Sequence, residues 1–350
     1  MGNRVLENYF SKGFISLDQL RIKSISDELI KQNNFQIQKI LSQKTILSDD
    51  RIYSVEMQGE FESKKAVLKI QGLKLQIEEF ELMRRFEEQN KSKIIRTPKI
   101  FAKSDWNNEK KYSYFIMEYV DASPIYADPL ATDEEMKDFM KFYKEYKEKC
   151  LVKPFVEILP REESALVFTA GRVMHWAKID ESQGHFTSEK AKLLERYLSI
   201  IGKHLPDVPM EFCHGHLDAQ SIRKVSDDEY VLMSNIFWTW RPALYDATFH
   251  LWAGIKSLRD TKITSYQIIE YMNKWEAEYE FQDFNNDTAN HNGGKFRRNF
   301  NLVMLERCIG TILVDIENQE YSKGEREKYI KHLMNLFTDL FNYYVKSLSE

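Results

Sequence analysis

The chain has 350 residues, 43% hydrophobic and 30% charged, so it is long enough for more than one packed core and too apolar to stay disordered. Lys and Arg number 50 against 54 Asp and Glu, and the net charge of -4 offers no basic field to a phosphate backbone, so nucleic acid is not an expected partner. Three cysteines, Cys150, Cys213 and Cys308, are odd in number and far apart, which argues against a disulfide framework or a CxxC metal site and for a reducing compartment.

The opening MGNRVLENYF lacks the apolar core of a leader, and no stretch reaches the ~18 uninterrupted apolar residues of a membrane span. A cytoplasmic protein with no membrane partner is expected. Only Gly2, Gly13, Gly59 and Gly72 precede residue 171, so the first half holds neither GxGxxG nor GxxxxGK[ST].

Residues 1–39 read as a helical extension. From Lys44 to Ile70 the pattern is that of antiparallel strands: TILSDDRIYSVEMQ, a turn at Gly59-Glu60, then KKAVLKI. LQIEEFELMRRFEEQ follows as an amphipathic helix, with Leu75, Phe80, Leu82, Met83 and Phe86 near helical spacing. TPKIFA and YSYFIMEYV read as two more strands. Residues 40–121 are therefore expected to form a five-strand lobe with one helix.

Beyond Asp121 the composition shifts to helix formers, and residues 122–350 read as a larger, mostly helical lobe. ATDEEMKDFMKFYKEYKEKC opens on a Thr132/Glu135 capping box, and SEKAKLLERYLSIIGKHL ends at Pro206. One strand-like island, VPMEFCHGHLDAQSIRKVSDDEYVLMSNIFWTW, interrupts the helices. NFNLVMLERCIGTILVDI and KYIKHLMNLFTDLFNYYVKSL are long helices, whereas FQDFNNDTANHNGGKFRR reads as an exposed loop. The expected class is α+β.

Over about residues 40–320 this layout resembles the bilobal protein-kinase-like fold, and within it the aminoglycoside phosphotransferase and choline kinase branch. The landmarks are Val67-Leu68-Lys69-Ile70, Glu79 on the next helix, Phe115-Ile116-Met117-Glu118-Tyr119-Val120, and His214-Gly215-His216-Leu217-Asp218-Ala219-Gln220-Ser221 followed by Pro242 and Asp246. Any one of them also fits an ordinary strand end, solvated acid or turn, and it is their order and spacing that carry the likeness.

The resemblance implies ATP as the nucleotide. Lys69 would meet its phosphates, Glu79 would orient that lysine, and the backbone at Glu118 and Val120 would meet the adenine edge. The HG segment stands where the family carries HGDxxxxN, with His214 structural and Asp246 anchoring the loop.

The chain departs from that pattern where the chemistry needs it most. His216 replaces the catalytic aspartate, Ser221 the loop asparagine, and Ser234 falls at the metal-binding aspartate. Mg²⁺ prefers carboxylate oxygens in an octahedral set, so two serines argue against it. Asp49 and Asp50 in the first hairpin would also repel nucleotide phosphates, with Arg51 as the one nearby offset.

The expectation is thus a catalytically degenerate kinase, binding a nucleotide, another small molecule or a protein partner weakly or without metal. In one alternative His216 as general base and Asp218 sustain ATP-dependent phosphotransfer. In another, His214, His216 and Asp218 begin an HxHxDH zinc-hydrolase signature, although Ala219 stands at its last His. Phe237, Trp238, Trp240 and Tyr245 read as core rather than as an aromatic cage.

Overall fold

The computed structural model describes residues 17–46, 49–125, 133–156, 164–258, 262–281, 293–318 and 324–349. These divide into two compact units: the first comprises Met1–Glu88, Arg96–Ser123 and Val225–Ile236, the second Gln89–Ile95, Pro124–Lys224 and Phe237–Glu350, each counted over its described residues.

The first unit begins with helix α1 (Leu17–Gln32) and continues through strands β1 (Gln36–Ile46), β2 (Asp49–Phe61) and β3 (Lys64–Gln71), helix α2 (Glu79–Gln89), and strands β4 (Ile100–Asn107) and β5 (Tyr112–Glu118). The five strands form one antiparallel sheet in the order β1-β2-β3-β5-β4. Side chains alternate across a strand, so Ala66, Leu68 and Ile70 share one face with Val55, Met57 and Ile116. There they pack under Ile22, Ile25 and Leu29 of α1. Val67 points the other way and joins Phe80 of α2 with Phe115 and Met117 of β5. Each such fully buried side chain contributes about 1.5–3 kcal/mol over leaving it in water.

The turn between β2 and β3 lies later than Gly59-Glu60. Phe61 pairs with Lys64, and Glu62 and Ser63 between them have φ of 50° and 61°, the backbone of a two-residue hairpin turn that usually carries Asn-Gly. Gly59 instead lies inside β2, where a Cβ would come 2.3 Å from the Gln36 carbonyl oxygen, so glycine is required by close approach of β1. Helix α2 starts at Glu79, leaving Leu75 before it.

The second unit is helical: α3 (Asp133–Glu145), extended by a π-helical turn at Tyr146–Cys150, α4 (Ala165–Ser182), α5 (Ser188–His204), α6 (Tyr245–Ser257), α7 (Ser265–Phe281), α8 (Gly293–Gly310) and α9 (Arg326–Ser349). Ser164 and Thr187 cap α4 and α5 through their hydroxyls. Helix α8 is buried on every side from Phe300 to Gly310, its Asn301, Glu306 and Arg307 included, and packs against α4, α5, α6, α7 and α9. Gly293–Arg298 form its first turns, so the last part of the segment read as an exposed loop is helical, drawn in by Phe296 and Phe300 on the buried face. Residues 282–292 of that segment, and Thr132 of the capping box, lie outside the described residues.

The strand island supplies β6 (Met210–Cys213), β7 (Ile222–Ser226), β8 (Glu229–Leu232) and β9 (Thr239–Pro242), with β6 and β9 paired antiparallel in the second unit. No helix among the described residues is long and apolar enough to cross a membrane.

Candidate functional site

In the first unit the pleat decides what meets Lys69. Since Leu68 and Ile70 face α1, Lys69 faces α2, and the register sets Glu56 of β2 on one side of it and Phe115 of β5 on the other. Its ammonium lies 2.8 Å from Glu79 Oε2 and 2.9 Å from Glu56 Oε1, with the lysine side chain only 6% exposed. Burial works to lower the Lys69 pKa, but the two carboxylates outweigh it and hold the group above its ordinary value. Burial likewise works to raise Glu56, and Lys69 brings it below the usual carboxylate range. Nearby Tyr53 is pushed up to about 12 by burial and then by the Glu79 charge.

The second oxygen of Glu79 accepts the Asn235 N–H at 3.1 Å, and Asn235 Nδ2 donates to Leu232 O at 2.8 Å. The cluster therefore ties β2, β3, α2 and the 225–236 segment of the first unit together. Ser234, next to Asn235, has φ 57°, a left-handed conformation uncommon for serine. The side chains of Asp49, Asp50 and Arg51 lie outside the described residues.

At the end of β5, Arg96 grips Glu118 with two parallel bonds, Nη1 to Oε2 at 2.7 Å and Nη2 to Oε1 at 2.9 Å, while its Nε reaches Glu229 at 2.8 Å. Burial would raise Glu118, and Arg96 pulls it below its ordinary value. The Glu118 N–H donates to Lys99 O, and Tyr119 N–H to Lys65 O. Val120 is half-buried and has no hydrogen-bond partner among the described residues.

In the second unit Asp246, at the start of α6, gathers the HG loop. Its carboxylate accepts the His214 N–H at 2.9 Å, the Gly215 N–H at 2.8 Å and the Tyr146 hydroxyl at 2.8 Å. Gly215 has φ 76°, and a Cβ there would come 2.6 Å from the Phe237 carbonyl oxygen, so both conformation and space demand glycine. His250 Nδ1 donates to Leu217 O at 3.1 Å, and burial lowers its pKa to about 4, so the ring is neutral.

His214 is buried edge-on to Trp238, whereas the His216 ring stacks on Phe237 with centroids 4.4 Å apart and leans on Phe249 at 4.7 Å. His216 Nδ1 lies 3.9 Å from Asp218 Oδ2. The other oxygen, Oδ1, accepts the Ser221 N–H at 2.8 Å and lies 2.7 Å from Ser221 Oγ, which is also 2.9 Å from His216 O. Asp218 and Ser221 thus close a turn on each other.

Among the described residues no group of three or more His, Cys, Asp and Glu could hold a metal ion. The rings of His214 and His216 pack on different aromatic neighbours, so His214, His216 and Asp218 give the hydrolase reading no ligand set. Ser221, tied into its turn, is also a poor fit to Mg²⁺.

The structure therefore assembles Lys69 with Glu79 in one unit, and His214, His216, Asp218, Ser221 and Asp246 in the other. Glu56 was not singled out from sequence. The signal for it is the alternation in SVEMQ, which places Glu56 opposite to Val55 and Met57, on the face of Lys69. Of the aromatic group, Trp238 and Tyr245 are core, while Phe237 and Trp240 are half-buried.

No protein-family model matches the sequence, and no curated protein matches it. Solved structures do. Aminoglycoside phosphotransferase APH(4)-Ia matches with a TM-score of 0.58 at 9% identity, over 93% of this chain and 99% of that one. A thermostable mutant of that enzyme, in ternary complex with ADP and hygromycin B, matches at 0.56 and 9% identity over 90% and 98%. The ethanolamine kinase of Plasmodium vivax matches at 0.57 and 13% identity over 97% and 94%, and the choline kinase of Cryptosporidium parvum Iowa II at 0.57 and 13% over 92% and 97%. Identities this low speak for the path of the backbone alone, and with nearly all of both chains covered they do so plainly: the chain has the protein-kinase-like fold.

Proposed function

We propose that this chain is a catalytically degenerate relative of the small-molecule kinases, binding a nucleotide weakly and without a need for Mg²⁺. The observation that carries this reading is the closed turn of Asp218 and Ser221. The carboxylate and the hydroxyl that would serve a metal and an attacking alcohol are hydrogen-bonded to each other and to the loop backbone.

Nucleotide binding is supported from the first unit. ADP or a non-hydrolysable ATP analogue is named in complexes of the phosphotransferase that shares the fold. Val67, Met117 and half-buried Tyr119 and Met233 offer apolar surface near Val120, whose backbone has no partner among the described residues. Weakness follows from Glu56. Phosphates approaching Lys69 meet an ammonium already held by two carboxylates, and must compete with Glu56 for it.

An active phosphotransferase is the second reading, favoured by one feature: the His216 side chain is 38% exposed, with Asp218 Oδ2 at 3.9 Å, a pairing that can hold an imidazole as general base. Incubation with Mg·ATP and a panel of small alcohols separates the two. The degenerate reading expects no phosphate transfer or release above that of His216→Ala protein. Turnover that falls about 10²-fold in His216→Ala or Asp218→Asn overturns it in favour of catalysis by substitution.

A further inference from the structure

Three arginines from three elements of the second unit converge on one tyrosine. Arg172 comes from α4, Arg241 from β9 and Arg307 from the central helix α8, and their guanidinium carbons lie 5.0, 5.3 and 5.9 Å from the ring centre of Tyr245 at the start of α6. The Tyr245 hydroxyl accepts from Arg172 Nη1 at 3.4 Å and from Arg307 Nη1 at 3.3 Å. Aromatic rings fill the rest of the shell, with Phe168 4.8 Å from Arg241, and Trp176 and Trp252 at 4.9 and 4.5 Å from Arg307. Space is made for this on α8, where a Cβ on Gly310 would come 2.7 Å from Trp176 and 2.8 Å from Arg307 Nη2.

The charges do not balance. Glu306 is the one carboxylate bonded to the group, and it pairs with Arg172. Arg241 and Arg307 have no carboxylate partner among the described residues. Arg307 is 5% exposed, and the Nε atoms of all three arginines, like Glu306 Oε2, are buried with no hydrogen-bond partner among the described residues. Ring faces attract a guanidinium but do not neutralise it, and a buried cation without a counter-charge is a costly feature. The field is felt within the group: Arg241 is held below its ordinary pKa by burial and by the charge of Arg172. The cluster is also reachable, since Phe168, Arg172, Trp176 and Arg241 are half-buried rather than sealed.

We infer that Arg172, Arg241 and Arg307 form a binding site for the oxyanion of a small molecule, a phosphate or carboxylate group, in the second unit. An arginine edge presents Nε–H and Nη–H as a fork that matches two oxygens of such a group; among the described residues the three Nε atoms lack partners, while both Nη atoms of Arg172 and the Nη1 atoms of Arg307 and Arg241 are bonded, the last to Trp240 O at 3.3 Å. The site lies one ring away from the HG loop: Phe249 is 5.7 Å from Arg307, 5.7 Å from Tyr245 and 4.7 Å from the ring of His216. A ligand anchored at the arginines would thus extend toward His216. Its charge is opposite to that of choline, so the ligand is of another class than that named for one of the kinases sharing the fold. The inference stands on the second unit alone, whether or not the first unit binds a nucleotide.

The test is thermal shift and isothermal titration of the full chain with sodium phosphate, sodium succinate and choline chloride at constant ionic strength. Phosphate or succinate should raise the melting temperature, the stronger of the two naming the oxyanion, and choline should not. Arg241→Gln should weaken the response roughly tenfold or more, and Arg241→Lys should weaken it less. Arg241 carries no salt bridge, so both variants should fold. Arg84→Gln, which removes an exposed cation of α2 outside both clusters, should leave the response unchanged. The proposal is overturned if neither anion shifts the melting temperature, if Arg241→Gln responds like the unaltered protein, or if Arg84→Gln weakens the response as much as Arg241→Gln, which would assign the effect to surface charge in general.

Discussion

The two units each bury a cluster of charges, and the clusters are unbalanced in opposite senses. In the first, one ammonium is shared by two carboxylates, Glu56 and Glu79, so an arriving anion is opposed. In the second, one carboxylate, Glu306, pairs with one of three guanidiniums, an excess of positive charge among the described residues. The comparison teaches that fold and electrostatics are set separately: the strand register and helix packing place the residues, and a few side chains choose the sign.

The largest expected effect lies at the anchor of the HG loop. Asp246→Ala leaves the Gly215 N–H and the Tyr146 hydroxyl without their buried acceptor and the His214 N–H with the Tyr146 oxygen alone, and should cost about 3–5 kcal/mol of unfolding free energy in a urea titration. A loss under about 1 kcal/mol would mean that the loop is held by something else.

Next is a pH effect confined to the second unit. His250 has a folded pKa of about 4, below that of a free imidazole near ~6.5, so the unfolded chain binds its proton first as pH falls. Its contribution is complete above ~6.5 and is lost on descending toward about 4, amounting to roughly 3 kcal/mol in all. His250→Gln should flatten the slope of stability against pH in that window, and an unchanged slope would remove His250 from the account.

Gly215→Ala comes third, at about 1–3 kcal/mol, from the strain of φ 76° and the approach to Phe237 O. Smallest is Glu56→Gln, which should tighten ATP binding by about threefold to tenfold with little change in melting temperature, by freeing Lys69 of one competitor. If ATP binding weakens instead, Glu56 assists rather than opposes the nucleotide.

Much of the fold was legible because burial leaves a period. AVLKI is a short aliphatic run buried on both faces and FELMRRF recurs at helical spacing, so the order of five strands and one helix could be read along the chain. The hairpin turn was not legible at Glu62-Ser63, because neither residue is a usual choice for positive φ and a glycine stood three residues earlier for another reason. That displacement matters for the site. A turn at Gly59-Glu60 would set Asp50 opposite Lys69, whereas the observed register sets Glu56 there.

Residues of the HG loop could be named from their sequence, but not the mutual bonding of Asp218 and Ser221, which depends on how the turn closes. The arginine cluster was invisible for a different reason. Arg172, Arg241 and Arg307 lie on three elements far apart in the chain, and no local pattern marks them until helix packing brings them to Tyr245.

The most direct test of the central claim is calorimetric titration of ATP into the full chain, once with EDTA and once with excess Mg²⁺. The account predicts the same weak constant in both, because Ser221 and Ser234 stand at the two metal positions and the Asp218 carboxylate is engaged by Ser221. Mg²⁺ that tightens ATP binding tenfold or more would contradict it.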